Sequence, residues 1–464
     1  MKFLGLFGLL LLTIISCHKR ENEIFLKETL HKDTLNLPHF PYLDYDLQFK
    51  NQTFDPVSRS KKQLFVEDFF ENYWSQNQVS GGLLVARNGQ VIYENYRGYA
   101  NVETKDTLNA DTALHTASIS KVLTALAVLK LVEADYLKLD QLVSNIFPEF
   151  PHKNITIRDL LNHRSGLPNY AYFEHHKLYW DTNKIKTNED ILQALIHKVA
   201  LPQSQPNTSF SYSNTNYALL ALIIEKITGL QYKDAMQYII FHPLQMKNTF
   251  VFNIKDSAKV SQSYGYGGTR WNFDFLDQIY GDKNIYSTPR DLFKLDKAMY
   301  SKHFLTPKLK KLMTQGYSYE KKGVKNYGLG IRTMEWDTGQ KLLYHNGWWH
   351  GNYTTYVRGE TDSITIIALG NKQSRAIYQA FTLAGMMGNY PVMTEENQRL
   401  LLGKNSETSL QDSVNLEITE TDLPDKSSEK LKKVKRKDSS IFVLQPKIRN
   451  EKLDSFKKQI SDIH

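Results

Sequence analysis

The sequence predicts an α+β protein. An antiparallel β-sheet is flanked by N- and C-terminal helices, and a mainly helical subdomain is inserted between its strands. Three observations predict this. Two β-rich runs, 81–87 and 90–94, flank Asn88-Gly89, and Asn-Gly in that setting is the strongest short hairpin signal. A long stretch, 116–300, then carries mainly helical patterning with loops. Strand-like runs return at 327–334, 341–345, 353–358 and 363–369, and a last helix is expected from about 374 to 387. Strands, a helical insertion, more strands and a closing helix are the element order of an α+β domain.

The elements follow in chain order. Lys2 and an apolar run over 3–15 form an N-terminal targeting segment, too short to span a bilayer comfortably as a mature helix. The run ends Ile14-Ile15-Ser16-Cys17, and Cys17 is the only cysteine of the chain. One cysteine excludes an intrachain disulfide framework and a cysteine-based metal cluster. Residues 17–60 read as a polar tether, with Pro38, Pro41 and Pro56 and no sustained period. An amphipathic helix is expected over 61–76, with Leu64, Phe65 and Phe69 on one face. One folded domain is expected over 61–395, with its helical subdomain at about 110–325. Beyond it, 396–464 turns polar and reads as a largely disordered tail. The net charge of +9, from 58 Lys+Arg against 49 Asp+Glu, is a weak excess over 464 residues. Its densest basic run, 430–437, lies in the tail, so nothing supports nucleic-acid binding.

Ser-x-x-Lys occurs six times, starting at Ser16, Ser58, Ser118, Ser318, Ser427 and Ser455, so the motif alone decides nothing. Only the copy at Ser118 opens a long apolar helical run, 122–129. At i, i+3 the Ser118 hydroxyl and the Lys121 amine share one face of the first turn. A serine is a weak nucleophile until a neighbouring base takes its proton. A lysine serves as that base when burial or nearby charge lowers its pKa. The structural alternative is an N-capping serine beside a solvated lysine. A second element is Tyr212-Ser213-Asn214, ahead of another apolar helical run. In an extended stretch Tyr212 and Asn214 point to the same side. The third is His345-Asn346-Gly347, closing a strand and followed by Trp348 and Trp349. A glycine there lets a substrate approach the strand backbone.

In this order the three elements resemble those of the serine β-lactamase-like hydrolases: class C β-lactamases, low-molecular-weight penicillin-binding proteins and related esterases and peptidases. The segment 160–168, Leu-Leu-Asn-His-Arg-Ser-Gly-Leu-Pro, and the segment 281–288 leading into Asp291-Leu292, are similar to further family segments. The resemblance covers roughly 61–390 and implies the β-lactamase/transpeptidase-like fold and a two-step acyl transfer. It implies that Ser118 is acylated and that Lys121 and Tyr212 handle the proton. Asn214 would hold the substrate amide or Lys121. The backbone N–H groups of Ser118 and Trp348 would form the oxyanion hole, and His345 and Gly347 would line the strand side. It implies no metal and no cofactor. The end of the apolar run resembles a bacterial lipoprotein signal, which implies lipidation of Cys17, membrane anchoring and a place in the cell envelope. A plain signal peptide is the alternative.

The third motif departs from the Lys-Thr-Gly of class C β-lactamases. Histidine is not a reliable cation near neutral pH, and His-x-Gly is similar to D-amino-acid peptidases and esterases of the family. The two tryptophans are expected to make the site wall large and apolar. The expected function is therefore a serine hydrolase of an ester or amide, taking a small-molecule or peptide substrate. The alternatives are a β-lactamase and a catalytically silent lipoprotein that binds penicillin or cell-wall peptides.

Overall fold

Asn88 and Gly89 adopt left-handed backbone, φ +52° and +73°, and turn the chain between β1 (Gly81–Arg87) and β2 (Gln90–Arg97). This hairpin is one edge of a seven-stranded antiparallel sheet in a computed structural model that describes residues 37–45, 56–175, 180–197, 201–388 and 390–392. Two short strands, β3 (Tyr99–Asn101) and β4 (Asp106–Thr107), pair with each other. A small sheet is made by β5 (Leu114–His115), β6 (Phe250–Val251) and β7 (Ile285–Ser287), with β7 in the middle. The main sheet is completed by β8 (Lys325–Tyr327), β9 (Arg332–Glu335), β10 (Lys341–Trp349), β11 (Asn352–Gly359) and β12 (Ile364–Gly370), in the order β2-β1-β12-β11-β10-β9-β8.

Both faces of this sheet are covered, so its central strands are apolar on both sides. Leu83 and Val85 of β1 pack with Val66, Phe69, Phe70 and Trp74 from the N-terminal helix and with Ile377, Phe381 and Met387 from the C-terminal one. Leu84 and Ala86, their alternates along the same strand, pack with the inserted helices instead. Each large apolar side chain fully buried in this way contributes about 2 kcal/mol. The N-terminal helix α1 runs Pro56–Asp68 and continues as a wider π-type turn, Phe69–Trp74. It starts five residues before the expected position because proline is tolerated in a first helical turn.

The insertion carries α2 (Ser120–Glu133), α3 (Ile157–Leu161), α4 (Asn188–Ile196), α5 (Asn214–Thr228), α6 (Tyr232–Met236), α7 (Pro289–Tyr300) and α8 (Pro307–Thr314). Helix α2 is apolar around most of its circumference, and Ser120 through Leu129 are all buried. After β12 come a 3-10 segment, Arg375–Thr382, and α9 (Leu383–Gly388), where one helix was expected. The run 327–334 divides into β8 and β9 because Gly330 turns at φ +84°.

The tether expected over 17–60 is corrected in part. Residues 37–45 dock on the helical insertion: Leu43 is buried, its N–H donates to Pro243 O at 3.1 Å, and Tyr45 Oη donates to Leu244 O at 2.9 Å. Phe40 meets Tyr238 edge to face at 5.8 Å. The segment is rich in large apolar and aromatic groups but has no period to betray them. The targeting segment, Cys17 and the tail from 396 lie outside the described residues. Among the described residues no helix is long and apolar enough to cross a membrane.

Candidate active site

The turn that carries Ser118 is built on a strained residue. Ala117 sits at φ +48°, a left-handed conformation uncommon for a residue with a Cβ. Its N–H donates to His115 Nδ1 at 3.0 Å, and His115 Nε2 in turn donates to Asn284 Oδ1 at 2.9 Å. Burial pushes His115 down to about 4, so it stays a neutral hydrogen-bonding group. Ser118 lies in the 3-10 turn Ala117–Ile119, one turn ahead of α2, and is half-buried. Lys121 is fully buried and donates to Ser118 Oγ at 3.1 Å and to Asp282 O at 2.8 Å. The solvated-lysine alternative therefore fails: this amine is removed from water and aimed at the serine.

The segment 281–285 cradles that turn. Thr116 N–H and Thr116 Oγ1 both donate to Ile285 O, at 2.9 and 2.8 Å, and Ile285 N–H donates to Ser120 Oγ at 3.2 Å. Gly281 begins the segment at φ +93°, and a Cβ there would lie 2.4 Å from Tyr217 O, so only glycine fits between it and α5.

Tyr212 precedes α5 and is half-buried, with the Lys121 ammonium 5.0 Å from its ring centroid. Asn214 is the first residue of α5, and its buried Oδ1 has no hydrogen-bond partner among the described residues. A buried acceptor of that kind costs about 1–3 kcal/mol unless something donates to it, and a substrate N–H would. The third motif approaches from β10. A Cβ on Gly347 would lie 2.3 Å from Thr354 Oγ1, 2.8 Å from Thr116 O and 2.9 Å from Ala117 Cβ. The strand therefore touches the turn that carries Ser118 at Gly347, which brings the backbone of Trp348 beside that of Ser118.

His345 is fully buried. Its Nδ1 donates to Asn346 O at 2.7 Å, which leaves Nε2 to accept from Tyr327 Oη at 3.1 Å. Burial, with Arg332 and Lys121 nearby, pushes it well below its ordinary value, so it is neutral. The expected wall of two tryptophans is corrected. Strand β10 continues to Trp349, so alternation sends Trp348 to the face opposite His345 and Gly347. The Trp348 side chain is 39% exposed and its ring lies 6.4 Å from Tyr353, on the side of the terminal helices. Trp349 takes the inner face, donating to Asp277 Oδ1 at 2.6 Å.

Three residues given no role in the sequence reading complete the surroundings. The guanidinium of Arg332, on β9, stands 5.1 Å from the Tyr212 ring centroid and 5.7 Å from that of Tyr327. The His163 ring centre is 4.3 Å from that of Tyr212, and its Nδ1 accepts from Ser213 N–H at 3.2 Å and Asn216 Nδ2 at 3.0 Å. Burial, followed by Lys121 and Arg332, pushes His163 well below its ordinary value. Lys283 is buried within the cradle segment, its ammonium 4.6 Å from the Trp349 ring centroid. The signal available for Arg332 was a charged residue inside an apolar strand run. His163 and Lys283 lay in segments noted only for their family likeness.

A half-buried serine hydrogen-bonded to a buried lysine, a neighbouring phenol and a strand backbone against the serine's turn define a serine hydrolase that works through an acyl-enzyme. The chain belongs to the beta-lactamase family, whose Beta-lactamase model matches residues 66–380. It is 31% identical over 342 residues to a penicillin-binding protein of Bacillus subtilis (strain 168), covering 69% of this chain and 74% of the relative. It is 26% identical to a teichoic acid D-alanine hydrolase of Staphylococcus aureus (strain MRSA252), covering 63% of this chain and 72% of that one. Among solved structures it resembles the octameric penicillin-binding protein homologue from Pyrococcus abyssi, with a TM-score of 0.59 and 26% identity over 73% of this chain and 77% of that one.

Proposed function

We propose that this serine hydrolase cleaves D-aminoacyl esters or amides, and that it is a poor β-lactamase. The observation that carries the reading is His345. Where a class C β-lactamase has a fixed lysine for the β-lactam carboxylate, this chain has a buried neutral imidazole tied to Tyr327 and Asn346. The similarity to a teichoic acid D-alanine hydrolase supports a D-aminoacyl substrate. Ser118 attacks the carbonyl, the Lys121–Tyr212 pair takes its proton and returns one to the leaving group, and water then releases the acyl group. Asn214 Oδ1 accepts a substrate N–H. The N–H groups of Ser118 and Trp348 hold the oxyanion, each such donor contributing typically ~3 kcal/mol to the transition state. Supported by the apolar run that ends at Cys17, the proposal extends to a lipid-anchored protein of the cell envelope.

The test is a panel of a D-alanyl p-nitrophenyl ester, its L-isomer, a D-alanyl-D-alanine peptide and a chromogenic cephalosporin. The D-alanyl ester is expected to turn over fastest and to be preferred over its L-isomer. A cephalosporin hydrolysed faster than every ester and peptide would make the protein a β-lactamase.

A further inference from the structure

Beside the Ser118–Lys121 pair lies a second buried charge system that the acyl-transfer steps do not use. Lys283 is 3% exposed and Asp282 1%. The Lys283 ammonium is 3.6 Å from Asp282 Oδ2 and donates to Tyr170 Oη at 2.6 Å, and Tyr170 Oη donates to the same Asp282 Oδ2 at 2.6 Å. Trp349 caps the ammonium. The other carboxylate oxygen, Asp282 Oδ1, is buried without a hydrogen-bond partner among the described residues. Burying such a pair costs several kcal/mol per ion before its attraction is counted, and apolar side chains of similar size commonly do as well. Stability is therefore a weak reason for the pair to be here. Its position gives a better one, because the backbone carbonyl of Asp282 is the group that holds Lys121.

We infer that Lys283 and Asp282 are positioning residues that set the proton affinity of the Lys121–Tyr212 unit through their opposite charges, while Tyr170 locks the pair in place. The inference rests on the assignment of Lys121 and Tyr212 as the proton-handling groups. Lys121 is faced by Ser118 on its own turn, by Tyr212 and Tyr217 from the second motif and α5, and by Asp282 from the cradle. His163, His345 and Lys283 also lie within its electrostatic reach. Lys283 is faced by Asp282, Tyr170 and Trp349, with Asp274 and Asp277 beyond. Burial pushes the Lys283 ammonium down, and Asp282, Asp277 and Asp274 oppose that. A cation at Lys283 makes a proton on the Lys121–Tyr212 unit more costly, and an anion at Asp282 makes it less so. The two effects have opposite signs, which a purely structural role does not.

The experiment follows the pH dependence of Ser118 acylation by a fluorophosphonate, a probe that needs no knowledge of the natural substrate. Lys283→Met is expected to move the acidic limb of the second-order rate upward by about one pH unit. Asp282→Asn is expected to move it downward, and the double variant Lys283→Met/Asp282→Asn to return it close to wild type. Lys283→Arg keeps the charge and holds the limb in place, and Tyr170→Phe lowers the rate without moving it. The double variant carries no unpaired buried charge, so it and Asp282→Asn keep the test open if Lys283→Met does not fold. Folded variants whose limbs stay fixed, or move in the same direction for both charges, overturn the inference. A wild-type protein that the probe fails to acylate at Ser118 overturns the underlying site assignment instead.

Discussion

Lys121→Met and Tyr212→Phe are each expected to lower kcat on a good ester about a thousandfold, with the double variant little worse than either. The reasoning starts from the proton. Ser118 must lose one, and the structure offers Lys121, Tyr212 and His345. Lys121 is within hydrogen-bond distance of the serine, at 3.1 Å, and packs on the Tyr212 ring. The Arg332 guanidinium stands 5.1 Å from the centroid of the same ring. Groups that exchange one proton act as a unit, so removing the second after the first costs little more. His345 has its proton on Nδ1, committed to Asn346 O, and its Nε2 already accepts from Tyr327. His345→Gln is expected to change KM and substrate preference while kcat stays within about tenfold, a loss far smaller than general-base removal. A dead His345→Gln beside a nearly wild-type Tyr212→Phe would replace the Lys121–Tyr212 relay with a Ser–His pair.

Gly347→Ala is expected to lower kcat by about a hundredfold or more, the usual cost of one oxyanion donor. The added methyl has nowhere to go. Thr354 Oγ1, Thr116 O and Ala117 Cβ all lie under 3 Å from it, and two of those atoms belong to the turn that carries Ser118. The strand must shift away, and the Trp348 N–H moves with it. Because the loss falls on the transition state, KM should change little, and circular dichroism should report a folded protein. A Gly347→Ala enzyme with wild-type kcat would mean that the oxyanion is held elsewhere.

How much of this was legible in the sequence depended on distance along the chain. The Ser118–Lys121 pair follows from spacing alone, because i and i+3 on one turn must meet. The Asn88-Gly89 hairpin and the order of strands and helices were legible for the same local reason. Tyr212 reached the site only through the family resemblance, since nothing in 212–214 says which helix it faces. Arg332, His163 and Lys283 meet their neighbours across elements that are far apart in sequence, where a single chain gives no partner. Trp348 was misjudged over one detail, the end of β10. A strand that stops at His345 leaves the tryptophans in a loop. One that runs to Trp349 assigns them to opposite faces by parity. The docked segment 37–45 was missed because its aromatic residues follow no period and make their contacts some 200 positions away, as Tyr42 does with His242.

The most direct measurement of the central claim is intact-mass analysis of the protein after reaction with a fluorophosphonate, followed by peptide mapping. One adduct per chain is expected, on the peptide that contains Ser118, and Ser118→Ala should abolish it with the fold intact. A stoichiometric adduct mapped to any other serine, or undiminished labelling of Ser118→Ala, would contradict the account.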